Sequence, residues 1–139
     1  EWHLDIVGEG QEGNRIQRMI DKYKLNDRIT IHPFTNNIQA YYSRAQVYIL
    51  SSRWEGMPLV LMEAMSHGLP VVSSDLPVCQ EIMGDFGMYF RNGDVEDLSR
   101  RMGVATMINW KEKSAEAMDI AQNFSTDSII KQWKALIEE

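Results

Sequence analysis

Basic residues, cysteine and long apolar runs are all scarce in this chain. Fourteen Lys and Arg face twenty Asp and Glu, a formal charge of −6. That balance argues against nucleic acid as a partner, because a phosphate backbone needs a basic surface. No apolar stretch approaches the roughly 20 residues that cross a bilayer, and the opening residues do not read as a secretory leader. A single cysteine, Cys79, excludes an internal disulfide and suits a reducing, cytoplasmic setting. No His with an acid or amide is paired to it in the sequence, so Cys79 reads as a small filler rather than a nucleophile. No Asp-x-Asp occurs, and no His, Cys and Asp cluster has ligand spacing. Neither a metal nor a cofactor is therefore expected.

What is present suits one globular domain over residues 1–139, since 44% of the residues are apolar. Strand-like and helix-like stretches alternate throughout. Strands are expected at 4–7, 28–32, 46–50, 70–73 and 87–90. Helices are expected at 14–24, 37–44, 59–67, 95–108, 111–123 and 127–138. Ile16, Met19, Ile20 and Tyr23 would form the inner face of the first helix. The apolar run at 46–50 predicts burial on both faces. Pro58 fits the first position of the 59–67 helix, and Gly68 with Pro70 ends it. Ser125 or Thr126 would cap the last helix. Such alternation predicts a Rossmann-like three-layer α/β sandwich with a mostly parallel sheet. Ligands in such sheets bind beyond the carboxyl ends of the strands, here after Val7, Ile31, Leu50 and Ser73. The chain opens straight into a strand, so further sequence is expected on its N-terminal side.

Gly8, Gly10 and Gly13 match G-x-G-x-x-G between a strand and a helix, the setting of a dinucleotide fingerprint. That fingerprint also wants a carboxylate after the next strand, where this sequence has Thr30-Ile31-His32-Pro33. Glu9 and Glu12 within the loop would repel a pyrophosphate. A glycine-permitted turn leaving a strand is the better reading, with a dinucleotide-binding module as the alternative.

The informative stretch runs from Ser51 to Met65. Glu55 precedes a helix start, and Glu63 lies more than a turn inside the helix. A helix N-terminus offers unpaired N–H groups and a positive dipole end, a ready anion site. Gly56 allows close backbone approach. A carboxylate accepts from two donors at once, which suits the adjacent hydroxyls of a ribose. These parts suit a sugar diphosphate, with phosphates on the helix start, ribose on Glu63 and sugar hydroxyls near Glu55. Spacing alone leaves a blander reading open, in which Glu55 is a solvated loop acid and Glu63 a surface charge.

This stretch resembles the E-x7-E signature of the retaining glycosyltransferases of group 1, also called family 4. Glu55 and Glu63 stand at the required separation. Residues 4–10, 28–34, 41–52, 68–75, 80–82 and 87–97 follow the same family's pattern, so the likeness covers nearly the whole chain. The resemblance implies the C-terminal, donor-binding half of a two-domain GT-B enzyme. It would move a sugar from a nucleoside diphosphate sugar to a glycan or lipid-linked acceptor, with retention and without a metal. It assigns the donor ribose to Glu63 and the transferred sugar to Glu55, as the catalytic carboxylate. N–H groups of Gly56 and Met57 would meet the sugar, and those of Leu59 and Val60 the phosphate. Pro58 departs from the glycine often found there and offers no N–H.

The family also uses an Arg and a Lys on the diphosphate, from a loop upstream of this chain. Its acceptor-binding domain likewise precedes the matched region. The chain alone is therefore expected to be inactive, and its parent to be cytoplasmic or membrane-associated. Arg53 reads as a rim charge. His32, Pro33 and Phe34 end a strand at the ligand edge, where they either pack the loop or lie near the base. His67 would complement a helix C-terminus, Glu81 fits either a helix start or the site, and the methionines read as core filler. The last helix resembles the one that crosses back to the missing domain, and alone it would either dock differently or expose apolar surface around Ile130, Trp133 and Ile137.

Overall fold

A computed structural model describes residues 2–138, so the two ends of the expected 1–139 domain lie outside the described residues. The chain divides into two units, residues 1–40 and 41–139.

In the first unit, β1 (Leu4–Val7) pairs in parallel with β2 (Ile29–His32), Leu4 opposite Ile29 and Val7 opposite His32. Parallel partners need a crossover, and α1 (Gly13–Lys22) supplies it. The strand period of two puts Leu4, Ile6, Ile29 and Ile31 on one face. Asp5, Thr30 and His32 share the other, where His32 Nε2 lies 2.6 Å from Asp5 Oδ1 and His3 Nε2 lies 2.9 Å from Thr30 Oγ1. Ile20 is the buried anchor of α1. Met19 and Tyr23, expected inward, are exposed. The helix ends at Lys22, so Tyr23 is its C-cap rather than part of its packed stripe, and Lys24 at φ +55° turns the chain away. A short α2 (Gln39–Tyr42) spans the boundary between the units.

The second unit holds β3 (Tyr48–Leu50), β4 (Val71–Ser74) and β5 (Met88–Phe90), all parallel in the order β3-β4-β5. Between them lie α3 (Leu59–Ser66), α4 (Pro77–Met83) and a 3₁₀ turn, Gly84–Phe86. After β5 come α5 (Val95–Ala105), a second 3₁₀ turn (Trp110–Glu112), α6 (Ser114–Gln122) and α7 (Thr126–Ile137). The central strand β4 is buried at every residue, and its alternation sorts the core. Val71 meets Leu61 and Met65 of α3, Cys79 and Ile82 of α4 and Ala117 of α6. Val72 meets Phe90, Leu98 and Ala105, with Trp110 against them. Helices thus cover both faces, and this unit is the expected three-layer α/β sandwich. Fully burying a side chain such as Leu61 or Met65 contributes about 1.5–3 kcal/mol.

Several boundaries differ from expectation for local reasons. The 46–50 strand is half-buried rather than covered on both faces, because β3 is the edge of its ladder. The helix α4 was not among the expected elements, and Pro77 opens it from inside its first turn. The helix expected at 111–123 starts as a 3₁₀ turn and becomes α-helical only at Ser114. The cap of α7 is Ser125, whose Oγ accepts from Ser128 N–H. Ile130, Trp133 and Ile137 of that helix are exposed.

Candidate functional site

The site is built on α3 and on the loop that leads from β3 into it. Leu61, Ala64 and Met65 are buried, which turns Leu59, Val60 and Glu63 outward on the opposite face. Glu63 follows Leu59 by four residues and Val60 by three, so it stands one turn above the helix start on the same exposed side. Its partner comes from α2: Tyr42 donates its hydroxyl to Glu63 Oε2 at 3.3 Å. Tyr42 is only 5% exposed, between the rings of Tyr48 at 5.9 Å and His67 at 5.3 Å. Burial, then the charges of Tyr48 and Glu63, push its hydroxyl well above the ordinary tyrosine value. Tyr42 therefore remains a neutral donor, leaving the other carboxylate oxygen of Glu63 to accept elsewhere.

Glu55 is held from its own loop, where Ser52 Oγ donates to Glu55 Oε1 at 2.6 Å. Its surroundings bring the two carboxylates into one electrostatic neighbourhood. Tyr48 is pushed up to about 12 by burial, then by the negative charges of both Glu55 and Glu63. Trp54, Met57 and Leu59 form an exposed apolar rim beside them.

Pro58 is not the first helical residue. At φ −79° and ψ 77° it is the N-cap. Leu59 N–H donates back to Met57 O at 2.9 Å, which makes Pro58 the centre of an inverse γ-turn. The ring's fixed φ suits that turn as well as it suits a helix start. Leu59 N–H is thereby engaged within the chain, and Leu61 N–H donates to Pro58 O. Among the described residues, the N–H groups of Gly56, Met57 and Val60 donate to no protein group. They remain available at the positive end of the helix.

The helix terminates as the sequence implies. His67 is the C-cap and its Nδ1 lies 2.9 Å from Glu63 O, and Gly68 follows at φ +74°. Other residues singled out from the sequence lie elsewhere. Gly8 needs its glycine, at φ +139°, whereas Gly10 and Gly13 are not in the positive-φ region. Glu12 sits beside the start of α1 and accepts from Arg15, a loop turn with an acid where a pyrophosphate would approach. His32 is paired with Asp5, and Phe34 is exposed. Glu81 is exposed in the middle of α4, not at its start. Cys79 is fully buried and burial raises its thiol's pKa, consistent with filler. Sequence reasoning missed Tyr42 and Ser52 as carboxylate partners. It also missed Ser74 and Asn92, which reach the Glu55 loop, and Asp75, which holds Asn92. Each of the last three follows or closes a parallel strand, so the rule that ligands gather at strand ends was the available signal.

Solved structures share this fold. The pneumococcal O-GlcNAc transferase GtfA in complex with UDP and GlcNAc superposes with a TM-score of 0.79 at 24% identity, over 98% of this chain and 29% of that one. A glycosyltransferase from Rickettsia africae superposes at 0.87 with 18% identity, over 98% and 39% respectively. The fold is thus that of the GT-B glycosyltransferases, with the paired acids at a helix start beyond the strand ends. The chain belongs to the family described as glycosyl transferases group 1, whose model matches residues 1–123. Relatives include an uncharacterized glycosyltransferase of Haemophilus influenzae, 28% identical over 99% of this chain and 40% of the relative. Another is the GtfA subunit of a UDP-N-acetylglucosamine–peptide N-acetylglucosaminyltransferase of Streptococcus pneumoniae, 30% identical over the whole chain and 30% of the relative. The chain spans less than half the length of these relatives.

Proposed function

We propose that the whole protein moves a sugar from a nucleoside diphosphate sugar to a glycan or lipid-linked acceptor, keeping the anomeric configuration and using no metal. This chain is its donor-binding domain. The observation that carries the reading is the pair Glu55 and Glu63 around the start of α3, each already held by a hydroxyl donor. Glu63 would take the ribose diol through its remaining acceptor positions. Glu55 would face the transferred sugar. The N–H groups of Gly56 and Met57 would meet that sugar, and those of Val60 and, on release from Met57, Leu59 would meet the diphosphate. As the bond from the anomeric carbon to the diphosphate breaks, charge grows on the leaving oxygens. Fixed N–H groups and the helix dipole stabilise that charge without reorganising.

The acceptor site and the basic groups for the diphosphate would come from the rest of the protein, so this chain alone is inactive. A cytoplasmic location fits the single buried thiol, with the membrane face as the place of work for a lipid-linked acceptor. The test is a calorimetric titration of the full-length protein with UDP-, GDP- and ADP-sugars, repeated with Glu63→Ala. Saturable binding of one donor, weakened at least tenfold by the substitution, is the expected outcome. Unchanged affinity would sink the ribose assignment.

A further inference from the structure

The loop that carries Glu55 is gripped by side chains from the end of β4 and from the turn after β5. Residues 51–57 form neither helix nor strand, so no backbone ladder fixes the residues that lead to Glu55. Ser74 closes β4, is fully buried, and donates its hydroxyl to Ser52 O at 2.6 Å. Ser52 is the residue whose Oγ holds Glu55. The next carbonyl along, that of Arg53, accepts from Asn92 Nδ2 at 2.9 Å. Asn92 lies in the turn after β5 and is itself fixed, since its N–H donates to Asp75 Oδ1 at 2.8 Å. Asp75 N–H donates in turn to Phe90 O at 2.9 Å. The same turn is braced by Asp97, which accepts from Arg91 N–H at 2.8 Å, and by Asp94, which caps α5 through Asp97 N–H at 3.0 Å.

Two consecutive carbonyls before Glu55 are therefore pinned, one from the end of β4 and one from the turn after β5. An untethered coil of this length would spread over many backbone states. A carboxylate displaced by about 1 Å from its productive place loses much of its effect on rate. We propose that Ser74 and Asn92 are positioning residues that hold Glu55 against the transferred sugar by fixing the Ser52 and Arg53 carbonyls. This rests on the reading of Glu55 as the sugar-facing group. On that reading this chain's ribose and diphosphate contacts would come from α3, so the two residues act on turnover rather than on nucleotide affinity.

The experiment is a mutant cycle in the full-length protein, with Asn92→Ala and Ser74→Ala made alone and in a Glu55→Gln background. Asn92 is exposed, so Asn92→Ala should leave the melting temperature unchanged and keep the test independent of folding. Each single variant is expected to lower kcat at least fivefold while nucleoside diphosphate affinity stays within twofold. Neither should lower kcat further once Glu55 is Gln. Losses that multiply with that of Glu55→Gln, losses in affinity instead of kcat, or an unchanged kcat would each overturn the proposal. If Glu55→Gln alone keeps full kcat, the sugar-facing reading of Glu55 fails and the proposal falls with it. That outcome is told apart by the single Glu55 variant.

Discussion

Gly68 is where the helix that carries Glu63 stops and where Ser114 and Met118 of α6 lie against it, and both facts can be tested with one substitution. Gly68 has φ +74°, and a Cβ built there would overlap Ser114 Oγ, with Ser114 Cβ at 3.4 Å and Met118 Cε at 3.5 Å. The cost of Gly68→Ala therefore has two parts. Placing an L side chain in the left-handed region costs about 1–2 kcal/mol. Turning the Ser114 hydroxyl aside from its present rotamer costs about 0.5–1.5 kcal/mol more. The sum, about 1.5–3.5 kcal/mol, is a sizeable share of the roughly 5–15 kcal/mol that holds a domain together. Urea unfolding of Gly68→Ala, Ser114→Ala and the double variant separates the parts. Removing Ser114 Oγ leaves only distances of ordinary contact, so Gly68→Ala in that background should cost the backbone part alone, about 1–2 kcal/mol. An equal cost in both backgrounds would refute the close approach of α6. A cost below about 0.5 kcal/mol in either would refute the backbone argument as well.

Three further outcomes follow from groups away from the helix start. Cys79 is fully buried and its thiol is raised by burial, so a thiol reagent should modify it only as fast as the protein unfolds; rapid labelling of folded protein would contradict this. Asp97 is held below the ordinary carboxylate range, first by Arg91 N–H and then by the charges of Arg100, Arg101 and Arg91. A depressed carboxylate adds stability above its unfolded pKa and loses it as pH falls through the folded value. Melting temperatures of the wild type should thus drop on acidification below about pH 4, and Asp97→Asn should flatten that drop. Tyr48 and Tyr89 are both pushed up to about 12, chiefly by burial. Raised groups stabilise below the unfolded pKa, so stability should decline above about pH 10, and phenolate absorbance should show late-titrating tyrosines that become ordinary on unfolding.

Much of the sandwich and the carrier of the site are readable in the sequence because the relevant signals are local. Val71 and Val72 sit in an apolar run flanked by Pro70 and Ser73, and that run became the buried centre of the sheet. Gly68 after the last turn of α3 is another local signal, and its positive φ follows from it. What was not readable is set by neighbours distant in sequence. The pattern at 46–50 is as apolar as that of β4, yet β3 lies at an edge, and only the strand order decides that. Met19 keeps helical spacing with Ile16 and Ile20 but lies outside the packed stripe. Pro58 shows how one residue's fixed φ serves two turns, since the choice between N-cap and first helical residue is made by ψ, which the ring leaves free.

The same distinction governs the site. The candidate acids are marked by the resemblance to the E-x7-E signature, and the local pattern around them indicates which helix bears Glu63 and which loop bears Glu55. Their orientation is not so marked, because it depends on hydroxyls 21 residues away for Glu63 and three for Glu55, and on an amide 39 residues beyond Arg53. Glu63 sits on a helix, so its place is set once α3 is packed by Leu61, Ala64 and Met65. Glu55 sits on coil, so its place must be imported from β4 and the turn after β5. A sequence that keeps both acids while changing Ser74 or Asn92 would therefore retain the visible signature and lose the alignment of only one of the two groups. Donor binding and turnover should then part company, with nucleotide affinity following Glu63 and rate following the anchors of Glu55.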